Sequence, residues 1–166
     1  MKKILQVTMV FFSLFLLGCA KETEEEATVT PEVQETPTLE TSQEPMEEKN
    51  IQLFFEETPV EVKWEDNASV EELKEVLENG DCVVQLHMYG GFEQVGDLGF
   101  TLTSDDEQIK TEPGDIVLYA SNQISIFYGS NSWAYTRLGK ITNMDQGSLE
   151  DFLAEGDISI TLSLGE

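Results

Sequence analysis

Positive charge, cysteine and histidine are scarce in this chain of 166 residues: nine Lys and Arg stand against 33 Asp and Glu, two cysteines are present, and His87 is the single histidine. The formal net charge of −24 at pH 7 argues against a nucleic-acid role, because phosphate contacts need clustered Lys and Arg. Anionic lipid headgroups are repelled for the same reason. One histidine cannot make a paired-histidine metal site, and Asp105-Asp106-Glu107 lacks the acid-and-glycine spacing of an EF-hand, so it reads as a solvated loop. Neither metal nor cofactor is expected. No Ser or Cys stands in a nucleophile-elbow context, which leaves nucleophilic catalysis without a motif. The longest apolar run, Ile4 to Leu17, has 14 residues, whereas a membrane-spanning helix needs about 20.

That run carries an address nonetheless. It follows Lys2 and Lys3 and ends at Gly18-Cys19-Ala20, the basic, apolar and small-residue order of an export signal. Leu16-Leu17-Gly18-Cys19 resembles the lipobox of bacterial lipoproteins. The resemblance implies that residues 1–18 are removed, that Cys19 becomes the first residue, and that it carries acyl chains. Two or three chains, at roughly 0.8 kcal/mol per buried CH₂, anchor a protein stably where one is marginal. Residues 19–50 hold ten Glu, three prolines (Pro31, Pro37, Pro45) and no aromatic residue. Such a stretch buries too little apolar surface to order itself; charge repulsion and proline predict an extended tether. The expected location is the extracytoplasmic face of a bacterial cell membrane.

Residues 51–166 suit one domain with its own core, expected as a monomer. With Cys19 lipidated, Cys82 has no intrachain partner, and free cysteine usually behaves as a small buried hydrophobe. Alternation predicts strands over 51–55 and 60–64 as a hairpin, 82–89, 116–120 and 124–128 as a second hairpin, 137–142 and 157–164. Ser69-Val70-Glu71-Glu72 has capping-box spacing ahead of a helix carrying Val70, Leu73 and Leu77, and Ser148 is placed to cap a second short helix. The glycine-rich segment Gly90 to Asp97 predicts a structured loop. Many short strands with two helices indicate a mainly β antiparallel barrel or sandwich. The inward set is Val60, Val62, Cys82, Val84, Leu86, Ile116, Leu118, Ile124, Ile126, Ile158, Ile160 and Leu162, with Met88 on the same face of its strand.

The opposite faces are unusually apolar. Val83, Tyr89, Val117, Tyr119 and Phe127 point outward, so either the helices or a ligand covers them. With Gln85, His87 and Trp133 they are placed to form an aromatic groove holding few polar groups. Glu93, beside Phe92, is placed either to orient a ligand there or to accept backbone N–H bonds within its own loop. The candidate groove residues are therefore Gln85, His87, Tyr89, Phe92, Glu93, Tyr119, Phe127 and Trp133.

Three segments, Met88 to Leu98, Gly114 to Tyr119 and Ile124 to Gly129, together with Leu138-Gly139-Lys140-Ile141 and Gly156-Asp157-Ile158, resemble the small bacterial cyclophilin-like family over nearly all of 51–166. The resemblance implies a closed, eight-stranded antiparallel barrel with a helix near each end. It implies no general activity. True cyclophilins isomerise X-Pro bonds with an arginine on a strand, followed by an aromatic residue and a glutamine. Leu86-His87-Met88 is the nearest counterpart, so Met88 stands where the arginine would, and Phe92 and Gln94 match the later pair at shortened spacing. Loss of that cation removes the main electrostatic donor. The sequence therefore favours a non-enzymatic, membrane-anchored binding module for a peptide, protein or small ligand, with a degenerate peptidyl-prolyl isomerase as the alternative.

Cys19→Ala is expected to abolish anchoring, because both acylation and processing depend on that thiol. Membrane fractionation checks this: retention of the signal-cleaved variant with the membrane would refute the lipoprotein reading.

Overall fold

The computed structural model describes residues 49–165. The expected signal at 1–18, Cys19 and the tether through residue 48 lie outside the described residues. Among the described residues, ten strands and two helices follow in the order β1 (Ile51–Phe55), β2 (Thr58–Val60), β3 (Val62–Trp64), α1 (Ala68–Leu77), β4 (Cys82–Tyr89), β5 (Glu93–Asp97), β6 (Glu107–Lys110), β7 (Asp115–Tyr119), β8 (Gln123–Phe127), β9 (Ser132–Ile141), α2 (Gln146–Leu153) and β10 (Ile158–Leu164).

All the strand pairings are antiparallel, in the path β2-β1-β10-β4-β5-β8-β7-β9-β3, with β6 attached to β9 outside it. The strands at the two ends of the path, β2 and β3, are neighbours in sequence, separated by Glu61 alone. The indole Nε1 of Trp64 donates to the carbonyl of Ile51 at 2.8 Å, joining β3 to β1 where the ladder itself stops. The expected barrel is thus present as a nearly closed path of nine strands, mainly β, with two helices.

Period-two alternation fills the interior. Val84 and Leu86 from β4, Ile116 and Leu118 from β7, Ile124 and Ile126 from β8, and Ile158, Ile160 and Leu162 from β10 share one core with Val60, Ile51, Leu53 and Phe55. Val62 and Cys82 pack against it only partly buried. Met88, expected inward, is exposed: the pairing of β4 with β10 ends at Leu86, and beyond it β4 is flanked by β5 alone. Helix α1 buries Ser69, Val70, Leu73 and Leu77, and α2 buries Leu149 and Leu153. Gln94 lies fully buried on the inner face of β5, where its side-chain amide donates to the carbonyls of Leu153 at 2.7 Å and Gly156 at 2.6 Å, tying down the end of α2.

Both helix caps lie a few residues upstream of their expected places. Asn67, not Ser69, caps α1 through the Val70 N–H at 3.0 Å. Ser69 instead donates to the carbonyl of Thr103, and Glu72 accepts from the N–H and hydroxyl of Thr103 at 2.6 Å each, so the apparent capping box holds a distant loop. Asp145, not Ser148, caps α2. The expected loop over Gly90 to Asp97 is confined to a tight turn, where Gly90 and Gly91 take positive φ; β5 begins at Glu93. Part of the expected acidic loop is strand too, since β6 starts at Glu107.

Leu86→Ala is expected to cost roughly 2–5 kcal/mol as a cavity in the core. Val83→Ala, at a position 67% exposed on the other face of β4, is expected to stay within about 0.5 kcal/mol of wild type. Urea unfolding measures both; equal losses would contradict the two-faced strand.

Candidate functional site

The outer face of β7 and β8 is covered, though neither helix covers it. Val117 and Phe127 form a second apolar cluster with Tyr135 of β9, against which Phe92 and Ile109 pack. The rings of Phe92 and Phe127 stack at 6.3 Å, and Tyr135 meets Phe127 edge-on at 5.7 Å and Tyr119 at 6.0 Å. Phe92 is held by its backbone, because its carbonyl accepts from both Tyr128 N–H (3.0 Å) and Gly129 N–H (2.9 Å). A side chain at Gly129 would place its Cβ 2.7 Å from that of Phe92, so glycine is what lets the two segments meet.

Beside this cluster opens a cleft of about 370 Å³, lined by Tyr89, Glu93, Val95, Tyr119, Gln123, Ser125, Asn131, Trp133 and Tyr135. Strands β5 and β8 supply Glu93, Val95, Gln123 and Ser125, with Val95 paired to Ser125. The ends of β4 and β7 bring Tyr89 and Tyr119. The first half of β9, paired with β6, contributes Trp133 and Tyr135, whose hydroxyl accepts from the Asn131 side chain at 3.0 Å.

Glu93 is the one acidic residue of the lining, and only 5% of it is exposed. Burial pushes its carboxyl above the ordinary glutamate range, partly offset by the Ser125 hydroxyl. Its charge is felt around it: the hydroxyls of Tyr128 and Tyr135 are raised first by their own burial and then by Glu93. No Lys, Arg or His lines the cleft. Arg137 and Lys140 are engaged by Asp115 at 3.2 and 2.8 Å, and His87 Nδ1 lies 2.8 Å from Asp157.

Of the expected groove residues, Tyr89, Glu93, Tyr119 and Trp133 line the cleft, while Phe92 and Phe127 belong to the apolar cluster beside it. Gln85 and His87 do not line it: Gln85 turns toward the Leu86 carbonyl and His87 toward Asp157. Tyr135, Asn131, Ser125, Gln123 and Val95 went unanticipated, although Trp133-x-Tyr135 carries a period-two signal that extends β9 backward. A larger cleft of about 960 Å³ lies between Lys49, Ile51, Trp64, Val70, Lys74 and Leu164, but Trp64 is its sole aromatic ring and it gathers no buried charge. Among the described residues, no three His, Cys, Asp or Glu are grouped to hold a metal, and no helix is long and apolar enough to cross a membrane.

The fold and this cleft define a small antiparallel barrel with a concave, aromatic-lined outer face. The model of the cyclophilin-like family matches residues 53–163, and the chain belongs to that family. No curated protein matches it. Among solved structures, one described as the structure of McbB in complex with tryptophan is 13% identical with a TM-score of 0.47, over 69% of this chain and 44% of that one. This chain therefore spans less than half the length of that protein, and the likeness assigns it no ligand.

Because the carboxyl of Glu93 is raised in the folded state, the native protein binds more protons than the unfolded chain above the ordinary glutamate pKa of about 4.3. Stability is then fully present below that pH and is lost as pH rises through the raised value. The hydroxyls of Tyr128 and Tyr135, raised by burial and by Glu93, stay neutral across this window. Glu93→Gln removes the loss, so its stability relative to wild type is expected to increase with pH. Urea unfolding at a series of pH values checks it; a difference independent of pH would show that the carboxyl ionises without penalty.

Proposed function

We propose that this chain is a lipid-anchored, extracytoplasmic binding module whose ligand seat is the cleft around Glu93. The observation that carries the reading is the convergence of Tyr89, Tyr119, Trp133 and Tyr135 on one buried carboxylate with no lysine, arginine or histidine in the lining. The Ser125 hydroxyl partners this carboxyl, but a fold gains nothing from a buried charge with no counter-charge beside it. A concave site with aromatic walls and few polar groups is the usual form of a ligand pocket. Anchoring through Cys19 and the acidic tether would hold the domain clear of the membrane, its cleft open to the exterior.

Catalysis of prolyl isomerisation is disfavoured by chemistry. The position that the cyclophilin resemblance assigns to the arginine is Met88, and Met88 is exposed and does not line the cleft. The cleft offers a carboxylate where the twisted amide needs a donor.

Turnover of proline peptides by the full chain is expected to be near background. A thermal-shift screen of amino acids, amines, sugars and short peptides is expected to give ligands whose stabilisation is lost in Tyr89→Ala and Trp133→Ala, since both positions are exposed aromatic anchors. Wild-type isomerase turnover comparable to that of an authentic cyclophilin, or ligands whose effect survives both substitutions, would overturn the reading.

A further inference from the structure

The cleft has a polarity as well as a shape. Its carboxylate is buried against aromatic rings, and the six Lys and Arg of the described residues (Lys49, Lys63, Lys74, Lys110, Arg137 and Lys140) are all absent from its lining. Aromatic rings present negative faces that attract cations, most strongly Trp and Tyr. A carboxylate is acceptor-only when ionised and forms its strongest hydrogen bonds with charged donors. The whole chain, at −24, raises the local concentration of cations and repels anions. At about 370 Å³ the space is near the small end of ligand pockets, enough for a small molecule or one long side chain.

We propose that the cleft seats an organic ammonium group, with the carboxylate of Glu93 opposite its charge and the rings of Tyr89, Tyr119, Trp133 and Tyr135 around its alkyl substituents. This inference rests on the reading of the cleft as a ligand seat and adds the class of ligand. The charge reaches the cleft from either a free amine or a lysine side chain, and both present the same chemistry. Ligand binding would supply the counter-charge that the lining lacks. An anionic ligand meets both Glu93 and the field of the chain, and a neutral one leaves the carboxylate uncompensated.

Calorimetric titration of the full chain tests this with two matched pairs: butylamine against butanol, its neutral isostere, and a blocked glycyl-lysyl-glycine peptide against the same peptide with norleucine. At least one cation is expected to bind about tenfold or more tightly than its neutral partner, and the pair that shows it separates a free amine from a lysine side chain. Glu93→Gln, with a normal thermal transition, is expected to erase the preference. Trp133→Ala is expected to weaken the cation by roughly threefold to thirtyfold. Equal binding of cation and isostere, or a preference that persists in Glu93→Gln, overturns the ammonium inference; if Trp133→Ala still weakens binding in that case, the ligand seat stands. Absence of binding by all four probes overturns the ammonium inference, and the seat itself then falls only if the wider thermal-shift screen is also empty.

Discussion

The constraint on which the rest of this structure depends is that β7 and β8 are buried on both faces. Ile116, Leu118, Ile124 and Ile126 face the barrel core, and Val117 and Phe127 face the other way, yet all six are fully buried. Outward apolar side chains of that size require a cover, and the chain supplies it. Strand β9 is ten residues long; its second half completes the barrel against β7 and β3, and its first half pairs with β6. A register shift opposite Ile116/Val117 falls within the stretch of β9 paired with β7, with Leu138 as the extra residue. Bulges of this kind increase local twist and re-aim a strand, which lets one strand serve as barrel wall and as cover. Tyr135 closes over Phe127, and what the cover leaves open is the cleft.

Two buried carboxylates show how differently this fold treats charge. Asp115 accepts from Lys140, Arg137 and the Glu112 N–H, so it ties β7 to β9 and has partners on every side. Such a group is structural: it sits where the register between the two strands must hold. Glu93 sits two strands away on the same sheet with no cation beside it. Burial without pairing opposes ionisation, as the raised carboxyl reflects. Because removing its charge would relieve the fold, stability does not account for its presence. That contrast, together with the aromatic lining, supports the proposed ligand seat.

Much of the barrel was legible because β4 and β10 alternate strictly. Val84 and Leu86 against Val83 and Gln85, and Ile158, Ile160 and Leu162 against Ser159 and Thr161, assign their faces from the residue types alone. β5 was illegible for a physical reason. Gln94, in an inward position usually filled by an apolar residue, is buried by bonding two carbonyls of the α2 terminus, and Glu93 in the outward position is buried as well. Neither face therefore carries an apolar pattern, and the glycines at 90 and 91 masked the strand start. β6 hides for the opposite reason: Glu107, Gln108 and Lys110 are the exposed charged and polar residues that protect a sheet edge. The helix caps moved because Ser69 and Glu72 are drawn into contacts with Thr103, a tertiary demand with no local signal. Half of the groove was visible as outward aromatics; Gln85 and His87 fell away because facing outward does not say toward which neighbour a side chain turns.

Membership in the cyclophilin-like family fixes the frame and leaves the chemistry to the residues placed on it. An amide passing through its twisted state needs donors aimed at the group whose charge grows, and the arginine of a true cyclophilin is such a donor. Here the resemblance puts Met88 at that position, and the concave surface gathers an acceptor, Glu93, among tyrosine and tryptophan rings. Tyrosine hydroxyls can donate, but that of Tyr135 sits in the field of the Glu93 carboxylate, which opposes stabilising a substrate group whose negative charge grows. The same field lowers the energy of a cation placed in the cleft. The carboxyl at the start of β5 thus gives the concave face an acceptor, while Met88 lies outside that face at the exposed end of β4.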